Sequence, residues 1–323
     1  MNVAKRYKIS TLEKNMYVED FFLLKRCECR QTKSQPPSHY LDIVLSDQSG
    51  EINAKLWDCS DLDIADFDGS KNIVVKVKGT VIIYRDELQL KLDVIQHPEP
   101  HERIHVSEFV PSAPLHPADM VEEVYQYANK INHPDIQVIV TTILDEKKDD
   151  FWKYPAAKSI HHAIYGGLAY HTITMLKIAN HLCEVYPSLN RDLLFAGVIL
   201  HDLCKIDEFE DEFASDYSIQ GQLIGHITMM ANLIHEKAKE LKISGEIPIL
   251  LQHMVLTHHG HLEYGSPIQP KLKEAEILHY IDMIDSRMNA MDTAIEKANP
   301  KDIFTAPVKA LGNRKLYKGL TQK

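Results

Sequence analysis

Short alternating segments of hydrophobic and polar residues dominate the first part of the chain. HYLDIVLSD at 39–47 places Tyr40, Ile43 and Leu45 among polar neighbours, and GEINAKLWD follows at 50–58 after the turn DQSG. Residues 72–95 fit two or three further strands. Alternation with a period of two is typical of strands that bury one face. Short strands between Gly and Asp turns predict a small β-barrel or sandwich over residues 1–98.

A helical pattern replaces this alternation after a proline-rich stretch, residues 99–117, which we predict to be a linker. From Pro117 onward, apolar residues recur every three or four positions, as at Met120, Val121 and Val124. Helices are predicted near residues 118–131, 134–146, 160–184, 191–206, 219–241, 245–257 and 272–298. The chain is therefore predicted to be an α+β multidomain protein, with an all-α domain at 118–300 and a loose, basic tail at 301–323.

The composition indicates a protein of the reducing cytoplasm. The 323 residues include five cysteines, an odd number without a CxxC pair, and no apolar run long enough to span a membrane. The first residues lack the apolar core of a secretory signal. The net charge of −10 argues mildly against broad, nonspecific phosphate binding. That argument weakens if some carboxylates hold metal cations.

VILHDLCKIDEF at 198–209 raises the question of chemistry, because His201 and Asp202 interrupt an otherwise apolar helix. An unpaired buried charge costs several kcal/mol. Histidine or aspartate stands beside small or apolar residues at four further places in the helical part: His171, His226, His258-His259 and Asp282. A bound divalent cation would offset the burial of all of these groups.

The donor set and its spacing say more about such a site. Histidine and aspartate without thiolate suit manganese, iron, zinc or magnesium with open coordination positions. Asp202 has two carboxylate oxygens and can therefore bridge two ions. Lys205 lies one helical turn beyond His201 and Asp202 on the same face, from which it can reach a substrate anion.

The order H…HD…H…HH…D resembles that of the HD-domain metal-dependent phosphohydrolases. The resemblance implies that His171, His201, Asp202 and Asp282 hold one metal ion. It also implies that His226 and His258, with His259, hold a second ion bridged by Asp202. Asp285, one turn beyond Asp282, is the alternative last ligand. HHAIYGGLAYHT at 161–172 resembles the segment before the metal histidine in related proteins, which makes His162 a candidate for contacting substrate or supporting a ligand.

YLDIVLSDQSGEINAKLWD at 40–58 resembles the OB-fold nucleic-acid-binding domains. Such domains stack bases on aromatic side chains and hold phosphates with basic ones. Tyr40, Trp57 and Tyr84 are the candidates for stacking. The candidates for phosphate contact are Lys55 and Arg85, together with Lys25, Arg26, Arg30, Lys76 and Lys78. The alternative is that the rings are core and the charges a solvated face.

An OB-like domain followed by an HD domain, at this length, resembles the YhaM-type 3′–5′ exoribonucleases. The resemblance implies a hydrolase that shortens single-stranded RNA, and potentially DNA, from the 3′ end and releases 5′-mononucleotides. It favours manganese, while iron, zinc, magnesium and cobalt also fit the donor set. Catalysis would rest on Asp202 and Lys205. Cys204 departs from the usual HDLGK or HDIGK motif, and we hypothesise that it makes the site sensitive to oxidation.

Two alternatives and one further question stay open at this point. The protein could be an HD phosphohydrolase acting on a nucleotide or second messenger, with the barrel as a scaffold. It could also be a noncatalytic replication or regulatory factor that binds DNA. A homo-oligomer is compatible with the sequence, which contains no feature that fixes the number of subunits.

Overall fold

The computed structural model describes residues 7–102, 104–158, 162–214 and 216–319. The chain divides into two compact units, and the division falls between Pro111 and Ser112. This position lies inside the stretch 99–117 that we predicted to be a linker, and the limits of that linker stay a prediction. Among the described residues, no helix has both the length and the apolar character needed to cross a membrane.

The first unit is a closed five-stranded barrel. Its strands are β1 Tyr17–Gln31, β2 His39–Asp47, β3 Gly50–Leu56, β4 Ile73–Tyr84 and β5 Glu87–Gln96, and they close in the order β1-β2-β3-β5-β4. Helix α1, Asp61–Phe67, lies between β3 and β4 in the sequence. Strands β3 and β5 are parallel, and the other neighbouring pairs are antiparallel. This strand order identifies the OB fold and confirms the predicted β-barrel.

The inward face of strand β2 differs by one residue from the alternation that we predicted. Leu41, Ile43 and Leu45 are buried in the barrel core, whereas Tyr40 lies on the outer face. Grouping Tyr40 with Ile43 and Leu45 was therefore wrong, because successive strand residues point to opposite faces. The same phase places Asp42 and its neighbour Lys55 of β3 on the outside.

The second unit is helical. Its helices are α2 Pro117–Ala128, α3 Pro134–Phe151, α4 Gly167–Val185, α5 Arg191–Leu200, α6 Lys205–Glu208, α7 Ile219–Leu223, α8 His226–Glu240, α9 Glu246–Thr257 and α10 Lys273–Glu296. Helix α5 is central, and it packs against α2, α3, α4, α9 and α10. Every residue of α5 from Leu193 to Leu200 is buried. The expected all-α domain is confirmed.

Three predicted helices are shorter or interrupted, and local geometry explains each case. The helix predicted at 160–184 begins at Gly167, after Gly166 adopts a left-handed conformation with φ 74°. The helix predicted at 219–241 is interrupted at Gly225, where φ is 75°. The helix predicted at 191–206 ends at Leu200, and turns at 201–204 separate α5 from α6. The last interruption matters most, because it contains His201 and Asp202.

The described part of the C-terminal segment is packed, which contradicts the loose tail that we expected. Val308 and Leu311 are buried together with Ala290 of helix α10. A short 3-10 helix, Lys309–Leu311, turns the chain so that both side chains face α10. These two apolar residues were present in the sequence, but a basic composition hid their packing role.

Gly79 of β4 provides a test of the barrel's closure. The β4–β5 register shifts between Lys78 and Gly79, and a Cβ added at Gly79 would lie 2.3 Å from the Lys91 carbonyl oxygen. Glycine in a strand often marks such a close approach of two backbones. We expect Gly79→Ala to lower the free energy of unfolding of the barrel by about 2 kcal/mol. Urea denaturation followed by Trp57 fluorescence, in a Trp152→Phe background, measures this.

The matched control is Lys78→Ala on the same strand. Lys78 forms an exposed ion pair with Glu19, with 2.9 Å between Nζ and Oε1. Exposed ion pairs contribute little to stability, so Lys78→Ala should change the free energy of unfolding by less than about 1 kcal/mol. Equal stability of the alanine variants at 78 and 79 would contradict the close approach.

Candidate metal centre

The centre is built around Asp202, a carboxylate that is 3% exposed in the turns after helix α5. His201 continues the helical hydrogen bonding, since its N–H donates to the Gly197 carbonyl at 2.9 Å. Beyond it the chain tightens, and the Lys205 N–H donates to the Asp202 carbonyl at 2.9 Å. The apolar wall of α5 thus ends where the ionisable residues begin.

Four histidines from different parts of the unit surround this carboxylate. The Nε2 atoms of His171 and His201 lie 3.9 and 3.3 Å from Asp202 Oδ2. The Nε2 atoms of His226 and His258 lie 3.2 and 3.6 Å from Asp202 Oδ1. Each oxygen of one carboxylate therefore faces its own pair of imidazoles, as a bridging ligand between two cations would.

The opposite nitrogen of each ring is anchored. His201 Nδ1 lies 2.8 Å from the Val198 carbonyl, and His258 Nδ1 lies 2.7 Å from the Val255 carbonyl, each three residues earlier in the chain. Because a carbonyl can only accept, both Nδ1 atoms must carry the proton. The neutral rings then present an Nε2 lone pair, as a metal ligand requires.

Carboxylates anchor the other two rings in the same way. His171 Nδ1 lies 2.6 Å from Asp285 Oδ2, and His226 Nδ1 lies 2.9 Å from Glu208 Oε1. His226 also donates its backbone N–H to the same Glu208 oxygen at 3.1 Å. A carboxylate behind an imidazole fixes its orientation and raises its basicity.

Several buried atoms of the centre have unused hydrogen-bonding capacity. Among the described residues, Nε2 of His201, His226 and His258 and Oδ1 of Asp202 make no hydrogen bond of acceptable geometry. Each such buried group costs about 1–3 kcal/mol when left unsatisfied. These atoms converge on the same space, so the donor set fits divalent cations.

Three groups of candidate ligands emerge among the described residues, each with its atoms within 4.8 Å of one another: His171 with His201 and Asp202, His226 with His258 and His259, and His162 with His171 and Asp285. His259 belongs with the second group, and its Nδ1–H donates to the Tyr264 carbonyl at 2.7 Å. The structure therefore brings together the six residues of the predicted sites that the first two groups contain. Their assignment as ligands stays a prediction.

The two candidates for the last ligand lie at opposite nitrogens of one ring. Asp282 Oδ1 lies 3.4 Å from His171 Nε2, the nitrogen that faces Asp202, whereas Asp285 contacts His171 Nδ1. Asp285 Oδ2 also lies 2.7 Å from His162 Nε2. This geometry favours Asp282 as the ligand and gives His162 and Asp285 a supporting position behind His171.

Lys205 lies against the carboxylate of Asp202. Its ammonium lies 2.7 Å from Asp202 Oδ2 and donates to the Ala156 carbonyl at 2.7 Å. Burial alone would raise the pKa of Asp202, but the positive charge of Lys205 is the largest opposing effect, and the pKa is held well below its usual range. The structure thus places Lys205 beside the bridging carboxylate, and its contact with a substrate phosphate stays a prediction.

Cys204 is sheltered by the core. Its Sγ lies 3.5 Å from Met230 Sδ, and burial raises the pKa of the thiol to about 12. Because the thiolate is the reactive form, this environment argues against the sensitivity to oxidation that we hypothesised.

Glu208 is the residue that the sequence analysis missed. It is 8% exposed and follows the HD turn closely, yet its partner His226 lies 18 positions along the chain. A sequence signal existed, because Glu208 stands between the apolar residues Ile206 and Phe209, where an unpaired carboxylate would be costly.

The predicted nucleic-acid contacts lie on the outer face of the barrel. Tyr40 and Trp57 stack with ring centroids 4.7 Å apart. Lys55 Nζ lies 4.7 Å from the Tyr40 centroid, and Lys55 and Arg85 line one groove. Other predicted phosphate contacts are engaged in ion pairs: Arg26 and Arg30 with Glu28, Lys76 with Glu102, and Lys78 with Glu19. Neither stacking ring belongs to the core.

Comparisons with known proteins agree with this picture. The HD domain family matches residues 168–287, and domains of that family depend on divalent metal. The 3′-5′ exoribonuclease YhaM of Shouchella clausii (strain KSM-K16) is 43% identical over 301 residues, 93% of this chain and 93% of that protein. The protein of the same name in Bacillus subtilis (strain 168) is 41% identical over 301 residues, 93% of this chain and 94% of that protein.

Among solved structures, the second OB-fold domain of replication protein A from Methanococcus maripaludis is 22% identical. The alignment covers 31% of the present chain and 98% of the replication protein A domain, with a TM-score of 0.25. The strand order, rather than this likeness, identifies the barrel as an OB fold.

Metal binding should release protons from this centre. Burial lowers the pKa of His171, but hydrogen bonds to Asp282 and Asp285 outweigh it and raise the pKa to about 9. Below that pH the metal-free ring holds an extra proton that a cation must displace. We expect Mn²⁺ to release about one proton from His171 at pH 7.5, and its apparent affinity to fall about tenfold per unit of acidification. Titration calorimetry in buffers of different ionisation enthalpy measures the release.

Asp285→Asn should lower the pKa of His171 and reduce the number of protons released. Asp207→Asn is the control, because Asp207 pairs with Lys147 instead of a histidine. A metal affinity independent of pH between 6 and 8.5 would contradict the prediction.

Proposed function

Because the chain belongs to the YhaM family of 3′–5′ exoribonucleases, we propose that it is a metal-dependent exonuclease acting on single-stranded RNA. It shortens the strand from its 3′ end and releases 5′-mononucleotides, and single-stranded DNA is a further substrate. The observation that carries this proposal is the position of Asp202, whose two oxygens face separate pairs of histidines. Such an arrangement suits the paired cations of phosphodiester hydrolysis.

The proposed ligands divide between two cations, for which manganese is favoured. His171, His201 and Asp282 would hold one ion, His226, His258 and His259 would hold the other, and Asp202 would bridge them. When bound, the cations supply a water of lowered pKa and stabilise charge on the phosphate. With imidazoles that bind the cations in their neutral form, the charged ligands of the proposed centre are the carboxylates of Asp202 and Asp282.

The supporting residues act by position. Asp285 and Glu208 hold the rings of His171 and His226 from behind, at 2.6 and 2.9 Å. Lys205 keeps Asp202 ionised and adds positive charge where an anionic substrate would bind. The proposed catalytic roles of Asp202 and Lys205 rest on these contacts.

The barrel supplies the proposed grip on the single strand. Stacking on aromatic rings is tolerant of sequence, since every base has a π-face. Trp57 is 38% exposed and lies against Tyr40, while Lys55 provides positive charge beside both rings. These features favour a polymeric substrate over a free nucleotide or second messenger. The unsatisfied buried atoms of the centre argue against a noncatalytic DNA-binding factor.

Asp202→Asn should abolish hydrolysis, because it removes the proposed bridge and leaves the histidines without a common partner. We expect the rate of hydrolysis to fall by at least about 100-fold. This is the upper end of the effect of mutating a residue that only supports a metal ligand. The assay incubates 5′- and 3′-labelled single-stranded RNA with the protein and Mn²⁺ after chelation. Attack from the 3′ end gives a descending ladder from the 5′-labelled strand and immediate labelled mononucleotide from the 3′-labelled strand.

Asp207→Asn on helix α6 is the matched control, and its activity should stay within about twofold, because Asp207 forms a partly exposed ion pair with Lys147. Near-normal hydrolysis by folded Asp202→Asn protein would overturn the proposal. Faster cleavage of small nucleotides than of RNA would favour the second-messenger alternative.

Trp57→Ala should weaken RNA binding without affecting the metal centre. Loss of one stacking ring should raise the Kd by about tenfold. Fluorescence anisotropy with labelled RNA, in the Asp202→Asn background at fixed salt, measures the Kd. Tyr17→Ala removes another exposed ring from the barrel, on strand β1, and should leave the Kd unchanged. Equal effects of the two substitutions would speak against the proposed stacking site.

A further inference from the structure

A groove of about 240 Å³ lies on the outer face of the barrel, where strands β3 and β5 run side by side. Its lining includes Asn53 and Lys55 of β3, Tyr84 and Arg85 at the β4–β5 turn, and Gln89 of β5. Pockets that enclose drug-sized ligands measure roughly 300–1,000 Å³. The groove is smaller than these, which suits one flat, polar ring.

Gln89 is the unusual residue of this groove. Leu90 and Leu92 of the same strand fill the barrel core, so Gln89 points outward, beside Asn53 in the register. It is nevertheless only 8% exposed. In the described part of the chain, its side-chain amide makes no hydrogen bond. Although the residue as a whole is largely covered, its amide atoms are open to water in the groove, where a ligand can take the place of that water.

The remaining groups of the groove suit a nucleotide. Asp42 is neutralised by Arg30 at 2.9 Å and Lys55 at 3.6 Å, so its carboxylate does not dominate the charge. Tyr84 is 52% exposed, and the Arg85 guanidinium carbon lies 5.3 Å from its ring centroid. An exposed ring, an amide, two cations and the two carboxylates of Asp42 and Glu87 therefore surround one small space, whose formal charge is balanced.

The turn that carries Arg85 is costly. Arg85 and Asp86 have φ values of 52° and 65°, a conformation that favours glycine or asparagine. An arginine in this conformation costs stability relative to glycine or asparagine, and strained backbone of this kind is common at binding sites.

We propose that this groove is a nucleobase pocket, in which the Gln89 amide reads the polar edge of one base and gives RNA binding a base preference. The inference rests on the proposed function, because it takes the bound strand as given. An amide offers two donors and an acceptor, which matches the mixed edges of bases. Tyr84 lies beside the base, while Lys55 and Arg85 face the neighbouring phosphates.

The test compares short homopolymers of A, C and U in the full-length Asp202→Asn protein, at fixed salt with chelator present. We expect one homopolymer to bind about tenfold more tightly than the weakest. Gln89→Leu should reduce this ratio to less than about twofold by weakening the preferred homopolymer. Gln89→Glu, which can only accept, should change the order of preference. Gln96→Leu on the same strand lies outside the groove lining and should leave the ratio unchanged.

The unfolding curve of each variant shows whether a change in RNA binding comes from loss of the folded barrel. Gln89→Leu replaces a hydrated amide that makes no hydrogen bond within the described protein by a side chain of similar size, so its free energy of unfolding should stay within about 1 kcal/mol of the parent value. If it fails to fold, Gln89→Glu decides, and an unchanged order of preference in that variant overturns the inference.

The inference and the proposed function fail in different ways. Equal affinities for all homopolymers, or a preference retained in Gln89→Leu, overturns the pocket while labelled RNA is still degraded by the parent enzyme. A protein that binds none of the homopolymers overturns both the pocket and the proposed grip of the barrel. Loss of activity on labelled RNA in the parent enzyme, with base preference intact, overturns only the exonuclease proposal.

Discussion

The buried carboxylate of Asp202 is the constraint on which the helical unit depends. An ionised carboxylate in a low-dielectric interior is tolerated only with compensating positive charge or donors. Lys205 supplies part of this compensation at 2.7 Å, and four imidazoles surround the two oxygens. The packing of α4, α8 and α9 around the end of α5 serves to bring these side chains to one point. The hydrophobic core is thus also the frame of the metal centre.

The contacts behind the four imidazoles determine their orientation and protonation. The imidazoles could rotate or change tautomer if only one ring nitrogen were engaged. Backbone carbonyls hold His201 and His258, whereas carboxylates hold His171 and His226. The two kinds of anchor differ electrostatically, because a carboxylate stabilises a protonated ring. Burial lowers the pKa of His258 to about 3, while its neighbours raise that of His171 to about 9. The centre therefore combines a ring that is always ready to bind a cation with one that must first lose a proton.

The sequence indicated the residues of the centre better than it indicated the contacts between them. The order of histidines and aspartates, through its resemblance to the HD-domain phosphohydrolases, indicated six residues that the structure brings together, and their role as ligands stays a prediction. Three features were missed, although the sequence carried a signal for two of them, Glu208 between apolar residues and the period of two in β2. Helix α5 ends at Leu200 although the apolar pattern continues, and Glu208 meets a histidine that is distant in the sequence. The phase of β2 was misjudged because Tyr40 is apolar enough to resemble a core residue, yet it stacks on Trp57 outside the barrel.

The two units also differ in the polar groups that remain available to bind a substrate. In the centre, the identified polar groups contact one another or face the space where cations fit. Cations bind phosphate, a group that every nucleotide carries. Base identity has no obvious means of being sensed there. The barrel is the reverse case, since its core needs no polar partner and the Gln89 amide is unused on its outer face. An enzyme that must cleave every linkage in a strand benefits from this separation. Selectivity in the centre would stall it at disfavoured bases, whereas selectivity in the barrel biases which strands are held without preventing their hydrolysis.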